Sequence, residues 1–161
     1  MVKKDIQNEK SKIRKSVISA YENLDLETFV QDALAQIRKD ADFINAKTVF
    51  IYEPYGHEVP FVNELIEEFH DKEYHFPHMS GKEMSFYDVV PDIVFVPAVA
   101  VTTNGERLGR GWGCYDKLFA NFASAGVNPK TLTIVPQYGV VDNLPAEPHD
   151  IRIDKIIICK Q

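Results

Sequence analysis

The sequence predicts an α/β fold, a single domain over residues 1–161 built as an open, mostly parallel sheet with helices on both faces. Three observations predict it. Thr48–Tyr52, Asp92–Val96, Thr131–Val135 and Lys155–Cys159 are β-branched or apolar runs of strand length. Segments with helical apolar spacing stand between most of them. A glycine-rich run, Arg107–Asp116, follows a strand and leads into a helix, and ligands in such folds collect beyond the carboxyl ends of the strands.

Taken in order, Ile6, Ile13, Val17, Ala20, Tyr21 and Leu24 fall near helical spacing, so residues 5–23 read as an amphipathic helix. Asp25 is placed to cap a second helix with Glu27 in its first turn, and Leu26, Phe29, Val30, Ala33, Leu34 and Ile37 form its apolar face. Thr48–Tyr52 is a buried strand, and Glu53–Glu58 is the turn after it. Phe61, Leu65, Ile66 and Phe69 mark a third helix. Short strands are expected near Tyr74–Phe76 and at Met84–Phe86. Asp92–Pro97 is the clearest central strand. Pro97 stops it, and Ala98–Val101 runs on extended to the turn dipeptide Asn104-Gly105. Tyr115–Phe122 begins a fourth helix, and Thr131–Val135 and Lys155–Cys159 are the last strands. The turns after Tyr52, Val96 and Val135 should open on one edge, bringing Glu53, Glu58, the glycine run and Pro136-Gln137-Tyr138 together.

Composition excludes several classes. The chain has 161 residues, 45% hydrophobic and 26% charged, which is ordinary for a globular protein. Its net charge of -6 argues against a general nucleic-acid binder, whose affinity rests on a basic face. No apolar run has the length of a membrane span, and Met1–Gln7 lacks the core of a signal peptide. Cys114 and Cys159 have no metal-ligand spacing, so a reducing, cytoplasmic setting is expected. The five histidines form no zinc motif, and no serine elbow is present.

Arg107-Leu108-Gly109-Arg110-Gly111-Trp112-Gly113-Cys114-Tyr115-Asp116 carries the chemistry. Glycines allow backbone amides to approach a ligand closely, and successive amides form an anion-binding concavity. Arg107 and Arg110 add charge-assisted donors suited to phosphate. The following helix start directs its dipole at the same place. Asp116 would repel a bare polyphosphate, but Mg2+ between them reverses the sign. The residues alone leave this metal–nucleotide reading beside an ordinary glycine turn capped by an aspartate.

Together with Lys10–Arg14, the Asp92–Pro97 strand and the tail Leu144-Pro145-Ala146-Glu147-Pro148-His149-Asp150-Ile151-Arg152-Ile153-Asp154, that run resembles the 5-formyltetrahydrofolate cyclo-ligase family over nearly the whole chain. The resemblance implies an ATP- and Mg2+-dependent enzyme that phosphorylates the formyl oxygen of 5-formyltetrahydrofolate. Ring closure then yields 5,10-methenyltetrahydrofolate, ADP and phosphate. It implies ATP contacts from Lys10, Arg14 and the run Arg107, Leu108, Gly109, Arg110, Gly111, Trp112, Gly113, Cys114 and Tyr115. It places Glu53, Glu58, Arg110, Gly111, Trp112, Gly113 and Cys114 at the folate, Asp116 and Asp150 on Mg2+, and Arg110 and Asp116 in catalysis. Gln137 and Tyr138 match a segment near the active site. Read from the residues alone, Lys10 and Arg14 are two charges on a solvated helix face, and Asp150 is a turn residue.

The chain departs from the family pattern in three places. Cys114 stands where the family usually has a tyrosine, Trp112 where a small or basic residue is commoner, and the segment before Asp92 is short. The expected partners are ATP and a reduced folate, with no nucleic acid or membrane, for a monomer or weak dimer. Two other functions stay open: a non-catalytic nucleotide or folate binder, and an ATP-dependent enzyme acting on another small amide.

Overall fold

The computed structural model describes residues 2–54, 60–81, 83–86, 88–145 and 147–160. Five strands form a parallel sheet: β1 (Thr48–Phe50), β2 (Glu73–His75), β5 (Ile93–Phe95), β8 (Lys130–Pro136) and β9 (Lys155–Cys159), in the order β2-β1-β5-β8-β9. Helices α1 (Lys3–Tyr21), α2 (Leu26–Ile37), α3 (Ala41–Asn45), α4 (Val62–Glu68) and α5 (Cys114–Ser124) accompany it. Two small antiparallel pairs stand apart from it: β3 (His78–Ser80) with β4 (Glu83–Ser85), and β6 (Ala100–Val101) with β7 (Arg107–Leu108).

The central strands β1, β5 and β8 are buried on both sides, and the twofold alternation of side chains sorts the sheet into two cores. Val49, Ile51, Ile93, Phe95, Leu132, Ile134, Ile157 and Cys159 face the helices α2, α3 and α4. Phe50, Val94 and Val96 face α5 through Tyr115 and Leu118, with Phe86 stacked on Phe50 at 4.0 Å. Helices therefore cover both faces, as the sequence predicts. The Asp25 carboxylate accepts from Thr28 N at 3.2 Å, the expected cap of α2.

Other details differ from expectation. Leu26 is 49% exposed, because it precedes the first turn that reaches the sheet. The helix α3 is not evident from periodicity; it is a single turn capped by the buried Asp40, whose carboxylate accepts from Phe43 N at 2.9 Å. The Met84–Phe86 strand joins the small hairpin with β3, not the main sheet. The expected third helix is α4, fourth in the chain, and Cys114, not Tyr115, starts α5.

At the amino edge of the sheet, strand starts leave amides without ladder partners, and two aspartates take them up. Asp92 accepts from Lys47 N and Thr48 N at 2.8 and 3.0 Å. Those amide bonds hold its carboxyl below the ordinary range. Asp154 does the same for Thr131 N at 2.9 Å. The opposite, carboxyl edge is thereby left for ligands. Counted alone, the sheet strands run 2-1-3-4-5, so the direction of winding reverses between β1 and β5. The crevice of an open parallel sheet lies at such a reversal.

Candidate active site

A cleft of about 990 Å³ opens at that point. Tyr52 and Glu53 after β1, and Pro97 to Val99 after β5, form its floor. Gln7, Lys10, Arg14, Ile18 and Tyr21 line it from α1. These residues repeat at intervals of three and four, so one stripe of the helix faces the cleft. The neighbouring stripe, with Ile13 and Val17, packs on Ala100 and Leu108 and fixes the helix in place. The third wall is Tyr74 to Met79 with Met84, and the fourth is Arg107 to Asp116 with Glu147, His149 and Asp150.

The glycine run is half strand and half turn. Arg107 and Leu108 pair with Val101 and Ala100 as β7, which anchors the run to the fold. Gly111 and Gly113 take φ of +101° and +68°, conformations that a side chain would strain. At Gly109, a Cβ would lie 2.5 Å from Arg107 Nη1, so the missing side chain is the space the guanidinium occupies. Arg107 Nη1 donates to the Pro97 carbonyl at 2.9 Å, and the guanidinium lies 5.7 Å from the Tyr115 ring centre. Trp112, 52% exposed, and Arg110 stand at the rim, and the half-buried Cys114 opens α5. Cys114 and Cys159 are unbridged.

Of the six basic residues of α1, Lys10 and Arg14 are not solvated surface charges. Arg14 Nε donates to the Gly109 carbonyl at 2.7 Å, tying the helix to the turn. Burial first, and the charge of Arg107 second, press the Arg14 guanidinium below its ordinary value. Burial does the same to Arg107, against the pull of Asp116 and Asp150. Two guanidiniums that repel each other in a half-buried wall gain from an anion between them.

Lys10 is only 8% exposed, and its ammonium lies 2.9 Å from Glu147 Oε2 and 3.6 Å from Asp150 Oδ2. The Lys10 hydrogen bond, aided by the Lys10 and His149 charges, holds the Glu147 carboxyl below its usual range. Asp150 Oδ2 also accepts from Glu147 N at 2.8 Å, a turn that sets its direction. Ligand atoms of Glu147, His149 and Asp150 lie within 4.8 Å of one another. Asp116 stands outside that trio but is joined to it through the chain, since its Oδ1 accepts from Ile151 N at 3.1 Å. Oxygen donors of this kind suit a hard divalent cation such as Mg2+.

The geometry thus brings Lys10, Arg14, Glu53, Asp150 and all of Arg107–Asp116 to one cleft. Glu58 falls outside the described residues. Gln137 and Tyr138 do not line the cleft: Gln137 is exposed, and Tyr138 packs edge-on behind Tyr21 with ring centres 5.3 Å apart. The turn after β8 therefore buttresses α1 instead of opening on the site. Glu147 and the wall Tyr74–Met79 are additions that the sequence reading lacks. The wall sits on short strands with weak periodicity, and Glu147 is legible only once Lys10 is known to be buried.

The sequence profile of the 5-formyltetrahydrofolate cyclo-ligase family matches residues 71–159, more than half of the chain. The chain belongs to the 5-formyltetrahydrofolate cyclo-ligase family. Curated relatives named 5-formyltetrahydrofolate cyclo-ligase include one from Mycolicibacterium smegmatis, 36% identical over 70 residues, covering 44% of this chain and 34% of the relative. One from Haemophilus influenzae is 37% identical over 67 residues, covering 42% of this chain and 35% of the relative. The alignments thus span about a third of these relatives' length. The 5,10-methenyltetrahydrofolate synthetase of Mycoplasma pneumoniae superposes with a TM-score of 0.76 at 23% identity, over 92% of this chain and 97% of that one, and shares the fold. The Aquifex aeolicus 5,10-methenyltetrahydrofolate synthetase gives 0.75 at 25% identity, over 92% and 89%. Within the cyclo-ligase match lie the glycine run, Asp116 and Asp150, whereas Lys10, Arg14 and Glu53 precede it, and only the fold brings them to the same cleft.

Proposed function

We propose that the chain converts 5-formyltetrahydrofolate to 5,10-methenyltetrahydrofolate with ATP as co-substrate. One observation carries the reading: the family's glycine run and the acidic 147–150 segment form a single wall of a cleft that α1 lines with two cations. The formyl oxygen attacks the γ-phosphorus, and the bond to the bridging oxygen of ADP breaks. The neighbouring folate nitrogen then attacks the activated carbon, loses its proton, and the carbon–oxygen bond breaks as phosphate departs. An amide oxygen leaves poorly and a phosphate well, which is why ATP is consumed.

Phosphoryl transfer asks a protein mainly for positioning and charge neutralisation. In this reading Arg107, Arg14 and Lys10 hold the phosphates, with the amides of Gly109–Tyr115 around them. Arg110 neutralises charge on the group in transfer. Mg2+, when bound, offsets phosphate charge, and Asp116 and Asp150 are the residues that hold it. The reduced folate takes the side of the cleft lined by Glu53, and Gly111, Trp112, Gly113 and Cys114 reach both ligands. The aromatic and apolar wall Tyr74, Phe76 and Met84 suits a flat ring. On the same reading the chain is a single-domain cytoplasmic enzyme, a monomer or weak dimer. It works on small molecules and not on nucleic acid or membrane. No helix among the described residues is long and apolar enough to cross a membrane.

Purified protein with ATP and Mg2+ should turn over 5-formyltetrahydrofolate, with methenyltetrahydrofolate absorbance rising in step with ADP. Tight nucleotide binding without turnover would leave a binding module instead, and ADP release on other amides alone would redirect the substrate. Arg14→Ala should raise the KM for ATP about tenfold, the scale of one charge-assisted contact. An unaltered KM for ATP in steady-state assays would remove Arg14 from the nucleotide site.

A further inference from the structure

Lys10 occupies the place where a cation is expected. Its stem is buried, and its ammonium contacts Glu147 Oε2 and approaches Asp150 Oδ2, two oxygens of the donor trio. A buried ammonium requires such partners, and the carboxylates in turn are partly neutralised by it. A divalent cation on Asp150 would therefore meet a positive charge a few ångströms away. The two compete for one carboxylate. Lys10 has a long, flexible stem with rotatable donors, so it can leave Asp150 without moving the helix. Arg14 is fixed to the Gly109 carbonyl and has no such freedom. A polyphosphate bound along the glycine run offers the ammonium a new partner on the same side of α1.

The geometry points to Lys10 as a built-in counter-ion that holds the Glu147–Asp150 pair until nucleotide arrives, making metal and nucleotide binding mutually dependent. This rests on the reading that a divalent cation binds at Asp150. Metal alone binds weakly, because it must first displace the ammonium from Asp150. With polyphosphate present the ammonium shifts away from Asp150, and that carboxylate is free for the metal. Glu147 is a positioning residue in this scheme: it keeps Lys10 beside the cleft in both states.

The test is Mn2+ binding without nucleotide, followed by the electron paramagnetic resonance of free Mn2+. Lys10→Met, which retains the apolar stem, should bind Mn2+ about tenfold more tightly than the unaltered chain, within the usual range of coupling between sites. Lys10→Arg, which retains the charge, should stay near the unaltered affinity. Adding Asp150→Asn to Lys10→Met should cancel the gain. If Lys10→Met binds Mn2+ no more tightly, the counter-ion role is lost. A gain that survives Asp150→Asn overturns it equally, since the metal would then sit elsewhere. Failure of the unaltered protein to turn over 5-formyltetrahydrofolate would sink the proposed function, while the Mn2+ comparison is read independently of turnover.

Discussion

Asp116→Asn is expected to lower kcat/KM for ATP-dependent turnover by roughly 10²–10³-fold, the scale seen when one preorganised electrostatic contact to a transition state is removed. The change isolates charge from shape. Asp116 is half-buried at the start of α5, and its Oδ1 accepts from Ile151 N. Asparagine retains an oxygen acceptor at that position, so the tie between α5 and the tail survives, and the unfolding free energy should move by no more than about 0.5 kcal/mol. What disappears is the negative charge that the Arg107 guanidinium feels and that the proposed divalent cation would share. Steady-state kinetics and a thermal melt of one preparation decide the matter. Full activity would remove Asp116 from the reaction, and a collapsed melting temperature would make its role structural.

Gly105→Ala is expected to destabilise the fold by about 3 kcal/mol, combining left-handed backbone strain with a steric collision. Gly105 has φ of +88°, and a Cβ there would lie 2.6 Å from the Ile153 carbonyl oxygen. That oxygen belongs to the backbone and has no rotamer by which to withdraw. The same glycine's carbonyl accepts from Ile153 N at 2.8 Å, so the turn and the tail are locked together. For a chain of this size the melting midpoint should fall by roughly 6–12 °C. Gly126→Ala supplies the comparison: its φ is +72°, but nothing lies within 4 Å of the added carbon, so only the conformational term of about 1 kcal/mol remains. Equal melting shifts for the two variants would show that close approach to Ile153 does not matter. Because Gly105 locks Ile153, three residues beyond Asp150, Gly105→Ala should impair turnover as well.

Much of this was legible before any fold was seen. The strand runs Thr48–Tyr52, Asp92–Val96, Thr131–Val135 and Lys155–Cys159 are sandwiched between helices, and continuous apolar stretches of that length have few alternatives. Asp25 announced α2 because a cap is a local device, requiring only the next turn of chain. Elements that depend on remote partners were less visible. Asp40 caps a one-turn helix that periodicity cannot detect, and β3 and β4 are three-residue strands that, among the described residues, pair with each other and not with the main sheet. Glu147 had no signal of its own, since its meaning comes from a lysine 137 positions earlier.

The sequence by itself determined the sheet, its helical layers and the glycine run, because each follows from side-chain periodicity and local backbone preference. Tertiary structure alone decided which charges matter. Lys10 and Arg14 sit on a helix whose pattern fits a solvated face equally well. They become part of a site only when α1 docks on β6 and β7 and carries both across the crevice to Gly109, Glu147 and Asp150. Docking also turned Gln137 and Tyr138 away from the ligand edge. The physical reason is that burial and Coulomb interaction depend on distance through space, and the distances that count here join residues far apart along the chain.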